Sequence, residues 1–325
     1  MNARLAAFVK VTFSAGLIVL IFYRVNVAEV WETLRGTTWP LLLLGLVLYT
    51  LAIASNAAKW GVLLRAQGVQ APFGSLLRHT FVGVFFNNFL PFVAADMIRG
   101  YGLVRETATP AHVAVSVLVD RLVGILVLAS TGTLAAWFAV RYQGLSASSL
   151  HVVERAGLFV TAGLTVGFML LLSGRARRLV EGAVRVVPLI RPLVPFVEKL
   201  SAAVSTYRRR PAPLLAAYGV GLTTLVLGNL ANWLFFLSID APIDPVYVFI
   251  FNPIIGLTMS LPISVSGLGV NQLLFPSLYG LAGVAADTSV AASLLLQATI
   301  AVTSLPGGLV WAAGHAPEAE QPSRS

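Results

Sequence analysis

Apolar runs of membrane-spanning length recur along the chain, separated by short polar and basic stretches. A helical span needs about 20 mostly apolar residues. Residues 5–23 qualify when Lys10 extends its aliphatic stem and carries its charge to the headgroups. Residues 36–58, 156–174 and 212–239 are uncharged, and 111–140 is long enough to span although it contains Asp120 and Arg121. Residues 288–314 form the last span. The uncharged run 245–286 is too long for one crossing and must turn back on itself. Residues 80–95 have the opposite problem: 16 residues at 1.5 Å each cover roughly 24 Å, short of the ~30 Å hydrocarbon core.

Two polar breaks fall inside these apolar segments, 85–101 (FFNNFLPFVAADMIRGY) and 259–272 (MSLPISVSGLGVNQ). Unpaired backbone groups in lipid cost several kcal/mol each, so such breaks belong inside protein or beside a watery cavity. A matching pair, one in each half, points to a transporter's binding site.

Charge fixes the topology. Residues 175–210 hold nine Lys/Arg and 59–105 hold five, whereas 239–287 hold none. The positive-inside rule places the first two regions in the cytoplasm and the third outside. A full crossing by 80–95 would put the two basic regions on opposite sides; a re-entrant hairpin keeps both inside. Residues 1–140 and 156–314 then each contain two spans, a hairpin and a third span, in opposite orientation. The expected fold is therefore an all-α polytopic membrane protein, one domain over 1–314, with an inverted-topology repeat. It has about six full spans plus two re-entrant helical hairpins, or eight spans, since two complete crossings in 245–286 keep the same parity. Both termini face the cytoplasm, and 315–325 is a disordered tail.

Composition agrees with this class. The 325 residues are 57% hydrophobic and 11% charged, against roughly 25% charged in soluble domains. The net charge of +9 is concentrated in loops, which favours anionic lipid over nucleic acid. The basic loop 175–210 reads as interfacial amphipathic helices or as a solvated linker. Arg4 and Lys10 precede an apolar run as in a signal peptide, but Phe22-Tyr23-Arg24 offers no small-residue cleavage site, so an uncleaved span is expected. There is no cysteine, and the four histidines lack metal-ligand spacing, so no cofactor is expected.

Asp96 and Arg99 share a helix face at i,i+3. Asp120 and Arg121 lie about ten residues into a span, where charge is expensive and faces protein or a water-filled cavity. These four form a mutually neutralising cluster whose arginines suit bidentate recognition of phosphate, or a purely structural ion-pair network. Asn87 and Asn88 in the first break, and Ser264, Ser266, Gly267, Gly269, Asn271 and Gln272 in the second, either contact an anionic headgroup or satisfy a turn. Asn229, Asn232 and Gln297 read as interhelical hydrogen-bond glue.

The segments LPFVAADMIRGYGL (90–103), VLVDRLVG (117–124) and LPISVSGLGVNQ (261–272) resemble, in order, three motifs of the lysylphosphatidylglycerol synthase transmembrane (flippase-like) family. Asp96 takes the place of that family's glutamate, Arg99 its arginine and Asp120-Arg121 its DR pair. In the third motif Asn271-Gln272 replaces an Arg-Glu pair, so an acidic residue frequent there is neutral here. The resemblance implies movement of a polar-headed or phosphate-containing lipid between leaflets of the cell membrane. The family's synthase chemistry resides in a separate soluble domain, so no enzyme activity is expected of this chain. Expected partners are membrane lipids with anionic or polar headgroups, a second copy of the chain and a separate lipid-synthesis enzyme. The alternatives are a membrane-embedded transferase or a non-catalytic partner in lipid or glycolipid synthesis.

Overall fold

The computed structural model describes residues 35–90, 92–142, 148–173, 211–260 and 270–313, with Glu32, Arg175, Arg178 and Tyr207 as isolated positions. The expected first span 5–23, most of the basic loop and the tail 315–325 lie outside the described residues. Every regular element among those described is helical: α1 (Trp39–Ala66), α2 (Phe73–Asn87), α3 (Phe92–Thr107), α4 (Pro110–Tyr142), α5 (Ser148–Ser173), α6 (Ala212–Ser238), α7 (Pro245–Met259), α8 (Val270–Tyr279) and α9 (Ala286–Ala313). A short 3₁₀ turn, Gly280–Ala282, follows α8.

Helices α1, α4, α6 and α9 are long and apolar enough to cross a membrane. Prolines in first turns open α1, α6 and α7, where the missing N–H would have had no partner anyway. The Asp244 carboxylate caps α7 by accepting from the Val246 amide at 2.9 Å. Gly68, at φ +79°, stands just beyond α1, the left-handed position that favours glycine. The expected short run 80–95 is split between α2 and α3, and the uncharged 245–286 between α7 and α8. Each of α2, α3 and α7 would reach only about 22–24 Å, less than a bilayer core.

The α1–α6 pair makes the most extensive contact, and α2 packs on α9 while α7 packs on α4. Exchanging α1 with α6, α2 with α7, α3 with α8 and α4 with α9 converts these pairings into one another. The same exchange maps α2–α3 onto α7–α8, α1–α2 onto α6–α7, and α3–α4 onto α8–α9. Glycine permits the closest crossings. A Cβ at Gly307 of α9 would lie 2.1 Å from the Phe81 carbonyl oxygen of α2, and one at Gly132 of α4 would lie 3.0 Å from Pro253 of α7. Small residues at such crossings let helix backbones approach where lipid supplies no hydrophobic drive.

Two apolar cores flank the middle. One joins Trp60, Leu64, Leu76, Leu103 and Val113 around α2 and α3. The other gathers Phe236, Phe251, Phe275 and Tyr279 around α7 and α8. Leu43, Val47 and Leu51 on α1 stay exposed, as a lipid-facing stripe would be. From the basic segment, Tyr207 is buried and its hydroxyl donates to the Leu63 carbonyl at 3.0 Å. Burial pushes that hydroxyl up to about 12, so it stays a donor.

Candidate functional site

Helix α2 ends in a turn over 88–90 that is tied down locally. The Asn88 amide donates to the carbonyls of Val84 and Phe85 and to Ser304 Oγ of α9 at 3.0 Å. With α3 restarted at once, Asp96 and Arg99 fall on one face toward α4. Gly83 of α2 leaves room for this: a Cβ there would meet Arg99 Cβ at 3.2 Å.

Five side chains from three helices then form a chain of alternating charge. Lys59 Nζ of α1 lies 3.1 Å from Asp120 Oδ1 of α4. Asp120 Oδ2 lies 3.2 Å from Arg99, and Arg99 lies 3.2 Å from Asp96 Oδ1 within α3. Asp96 Oδ2 in turn lies 3.2 Å from Arg121. Adjacent positions on a helix point about 100° apart, so Asp120 addresses Lys59 and Arg99 while Arg121 reaches Asp96. The Arg99 guanidinium stacks over the Trp60 ring, 4.5 Å from its centroid, and the Trp60 N–H donates to Ser116 Oγ at 3.0 Å.

The sequence missed Lys59, placing it in a cytoplasmic loop because the uncharged run ends at Ala58. Instead α1 continues to Ala66 and buries this lysine to 6% exposure. Its stem packs beside Gly124 and Gly221, where a Cβ would make ordinary contact at 3.7 Å from its Nζ and 3.5 Å from its Cδ. A legible signal did exist, since Asn56 and Lys59 stand at i,i+3 in an otherwise apolar stretch. The extra lysine changes the sum. Among the described residues, the cluster expected to be neutral carries three cations and two carboxylates, with a formal charge of +1 when both carboxylates are ionised.

This chain lines a cavity of about 420 Å³, within the range of small-molecule sites. Its opposite wall comes from the second half and carries amides: Asn229 and Asn232 on α6, Asn252 on α7 and Asn271 on α8. Asn252 Nδ2 donates to Asn229 Oδ1 at 3.2 Å, and Asn252 Oδ1 accepts from Asn232 at 3.3 Å and from the Tyr279 hydroxyl at 2.8 Å. Tyr279 is wedged among Phe236, Phe251 and Phe275, with ring centroids 4.6–5.2 Å away. The amides expected to join helices do so. Asn229 Nδ2, Asn232 Oδ1 and Asn271 Oδ1 nonetheless remain buried without a hydrogen-bond partner among the described residues.

Of the other expected site residues, Asn87 is half-buried and does not line this cavity. Asn88 holds the hairpin turn. Gln272 donates to Gln297 Oε1 of α9 at 2.8 Å. Ser264, Ser266, Gly267 and Gly269 lie outside the described residues. A larger cavity, about 1060 Å³, runs between α2, α3 and the end of α9; its walls are mainly apolar, and Arg78 and Arg105 line it. Glu106 and His79 also line it; Glu106 accepts from Ser75 and Arg78 and lies 2.9 Å from His79 Nε2.

No curated protein and no solved structure matches the chain. A family model covers almost all of it, including α2, α3, α7, α8 and every charge of the buried network. The chain belongs to the family described as the lysylphosphatidylglycerol synthase TM region, which it matches over residues 7–307.

Proposed function

We propose that this membrane protein is a flippase-like transporter that moves a polar-headed, phosphate-containing lipid between leaflets without covalent chemistry. The carrying observation is the alternating charge chain, with its one excess cation, opening onto a cavity between the two interrupted hairpins. A buried net charge is costly in a low-dielectric surround, and a phosphate oxygen at the Lys59 or Arg121 end would offset it. The apolar-walled groove beside α2 and α3 offers the acyl chains a place outside the polar cavity.

The two halves are read as an inverted-topology repeat with α2–α3 re-entrant from the cytoplasm. The exchange pattern of helix pairings and the positive-inside distribution both support that reading. Such a repeat supplies two arrangements of similar energy, in which the cavity faces one leaflet or the other. A separate enzyme would make the lipid.

Reconstitution into vesicles tests this. Purified protein is expected to accelerate transfer of labelled anionic lipid across the bilayer, and Arg121→Ala to lose most of that acceleration. Transfer no faster than in empty vesicles for anionic, aminoacylated and polyprenyl lipids alike would sink the proposal. The chain has no cysteine, so Leu90→Cys gives a clean topology probe. Labelling from the cytoplasmic side is expected; labelling from outside alone would overturn the re-entrant assignment.

A further inference from the structure

The two halves build their sides of the cavity from different chemistry at matching places. Asn56 and Lys59 in α1 have the same i,i+3 spacing as Asn229 and Asn232 in α6, at equal distances from the helix starts at Trp39 and Ala212. Where α3 supplies Asp96 and Arg99, α8 supplies Asn271. Where α4 supplies Asp120 and Arg121 as its eleventh and twelfth residues, α9 lines the cavity at the same depth with uncharged Leu296, and its twelfth residue is the amide Gln297. Among the described residues every charge facing the cavity therefore comes from the first half, and the second half answers with uncharged amides.

An amide wall has a definite preference. It offers donors and acceptors together but no charge, so it matches hydroxyl groups, which also donate and accept. Three of its atoms have no hydrogen-bond partner among the described residues: one N–H₂ donor, Asn229 Nδ2, and two carbonyl acceptors, Asn232 Oδ1 and Asn271 Oδ1. Their residues are buried to 5%, 1% and 5% exposure. Buried polar groups left unmade are costly, and here they line the same cavity as the charge chain. Facing them, the charge chain holds three cations against two carboxylates among the described residues, and each of those carboxylates is already paired with two cations.

We propose that the ligand of this cavity is a monoanionic phosphodiester flanked by hydroxyl groups, its phosphate at the cationic chain and its hydroxyls at the Asn229–Asn232–Asn252–Asn271 wall. A lipid whose headgroup carries an added amine is disfavoured, because its ammonium would meet either the excess cation or uncharged amides. This rests on the transport reading above and names its substrate class. Two sources present this chemistry, a glycerol-headed phospholipid and a sugar linked through phosphate to a polyprenol.

Binding is measured on the full chain in detergent by lipid-dependent thermal stabilisation and native mass spectrometry, and translocation separately in vesicles. The panel holds phosphatidylglycerol, a glucosyl phosphoryl polyprenol, phosphatidylmethanol (one charge, no headgroup hydroxyl), phosphatidylethanolamine and lysylphosphatidylglycerol. One or both of the first two should bind about tenfold more tightly than phosphatidylmethanol, and the last two more weakly still. Which of the first two leads identifies the source. Asn252→Leu should erase the advantage over phosphatidylmethanol while leaving the preference for anions. Should that variant misfold, the unmodified protein's own ranking still decides. Equal binding of phosphatidylglycerol, the polyprenol and phosphatidylmethanol, or tighter binding of lysylphosphatidylglycerol, would overturn the assignment. Selective binding without translocation would support the headgroup class and count against transport. Translocation of lysylphosphatidylglycerol alone would do the reverse.

Discussion

Asp120 is the joint of the buried charge chain, and Asp120→Asn tests whether that chain is held as described. Its two oxygens lie 3.1 Å from Lys59 and 3.2 Å from Arg99. At an effective dielectric of about 20, each contact corresponds to roughly 5 kcal/mol of attraction. Taking the carboxylate out of water costs several kcal/mol in return, so the net stake is smaller than the sum. Asparagine keeps the shape but leaves Lys59 and Arg99 buried beside a neutral amide. Stranding buried charge in this way costs about 3–5 kcal/mol. Equilibrium unfolding in mixed micelles, followed by tryptophan fluorescence, reads that loss directly. The companion Lys59→Met removes the most isolated of the stranded cations. The double variant should therefore be more stable than the sum of the two single losses by about 2 kcal/mol. An Asp120→Asn protein within about 0.5 kcal/mol of the parent, or strict additivity in the cycle, would refute the coupling.

Two further outcomes follow from geometry away from the charges. Gly307→Ala drives a methyl to 2.1 Å from the Phe81 carbonyl oxygen, a backbone atom that cannot swing aside, and should cost about 3 kcal/mol of stability; Gly219→Ala, with nothing within 4 Å, should leave the melting temperature in detergent essentially unchanged. At Glu106 burial raises the carboxyl, but bonds from Ser75 and His79 and the charges of His79 and Arg78 outweigh it, leaving the group below its ordinary 4.5. A lowered folded-state value means stability present above pH 4.5 and lost as pH falls through the folded value; Glu106→Gln should flatten that acid limb, by a small amount because solvent screens the site, and an unchanged pH profile would argue against the cluster.

The sequence legibly predicted helices because apolar run length is nearly the whole signal in a bilayer protein. The spans expected over 36–58, 111–140, 212–239 and 288–314 became α1, α4, α6 and α9 with shifts of a few residues, largest where α1 runs on to Ala66. The split of 245–286 into two helices followed from length alone. Asp96, Arg99, Asp120 and Arg121 were singled out because charge inside an apolar run is costly wherever it lies, and that logic needs no coordinates. The same logic failed for Lys59, since a charge at the end of a run can belong to a loop as readily as to the helix. Asn229, Asn232 and Asn252 were visible as polar positions but ambiguous, because an amide inside a span can join helices or face a cavity, and here it does both.

What the sequence by itself determined is the membrane class, the two interrupted segments and the depth of four charges; each depends on local composition and on spacing along one helix. Tertiary structure alone decided which charges meet. Lys59, Asp120 and Arg99 come from three helices, and whether the cluster sums to zero or to +1 depends on α1 running on past Ala58 so that Lys59 meets Asp120. It also decided that the uncharged wall belongs to α6, α7 and α8. Pairing across helices is set by packing between residues far apart in the chain, and no run length or local period encodes it.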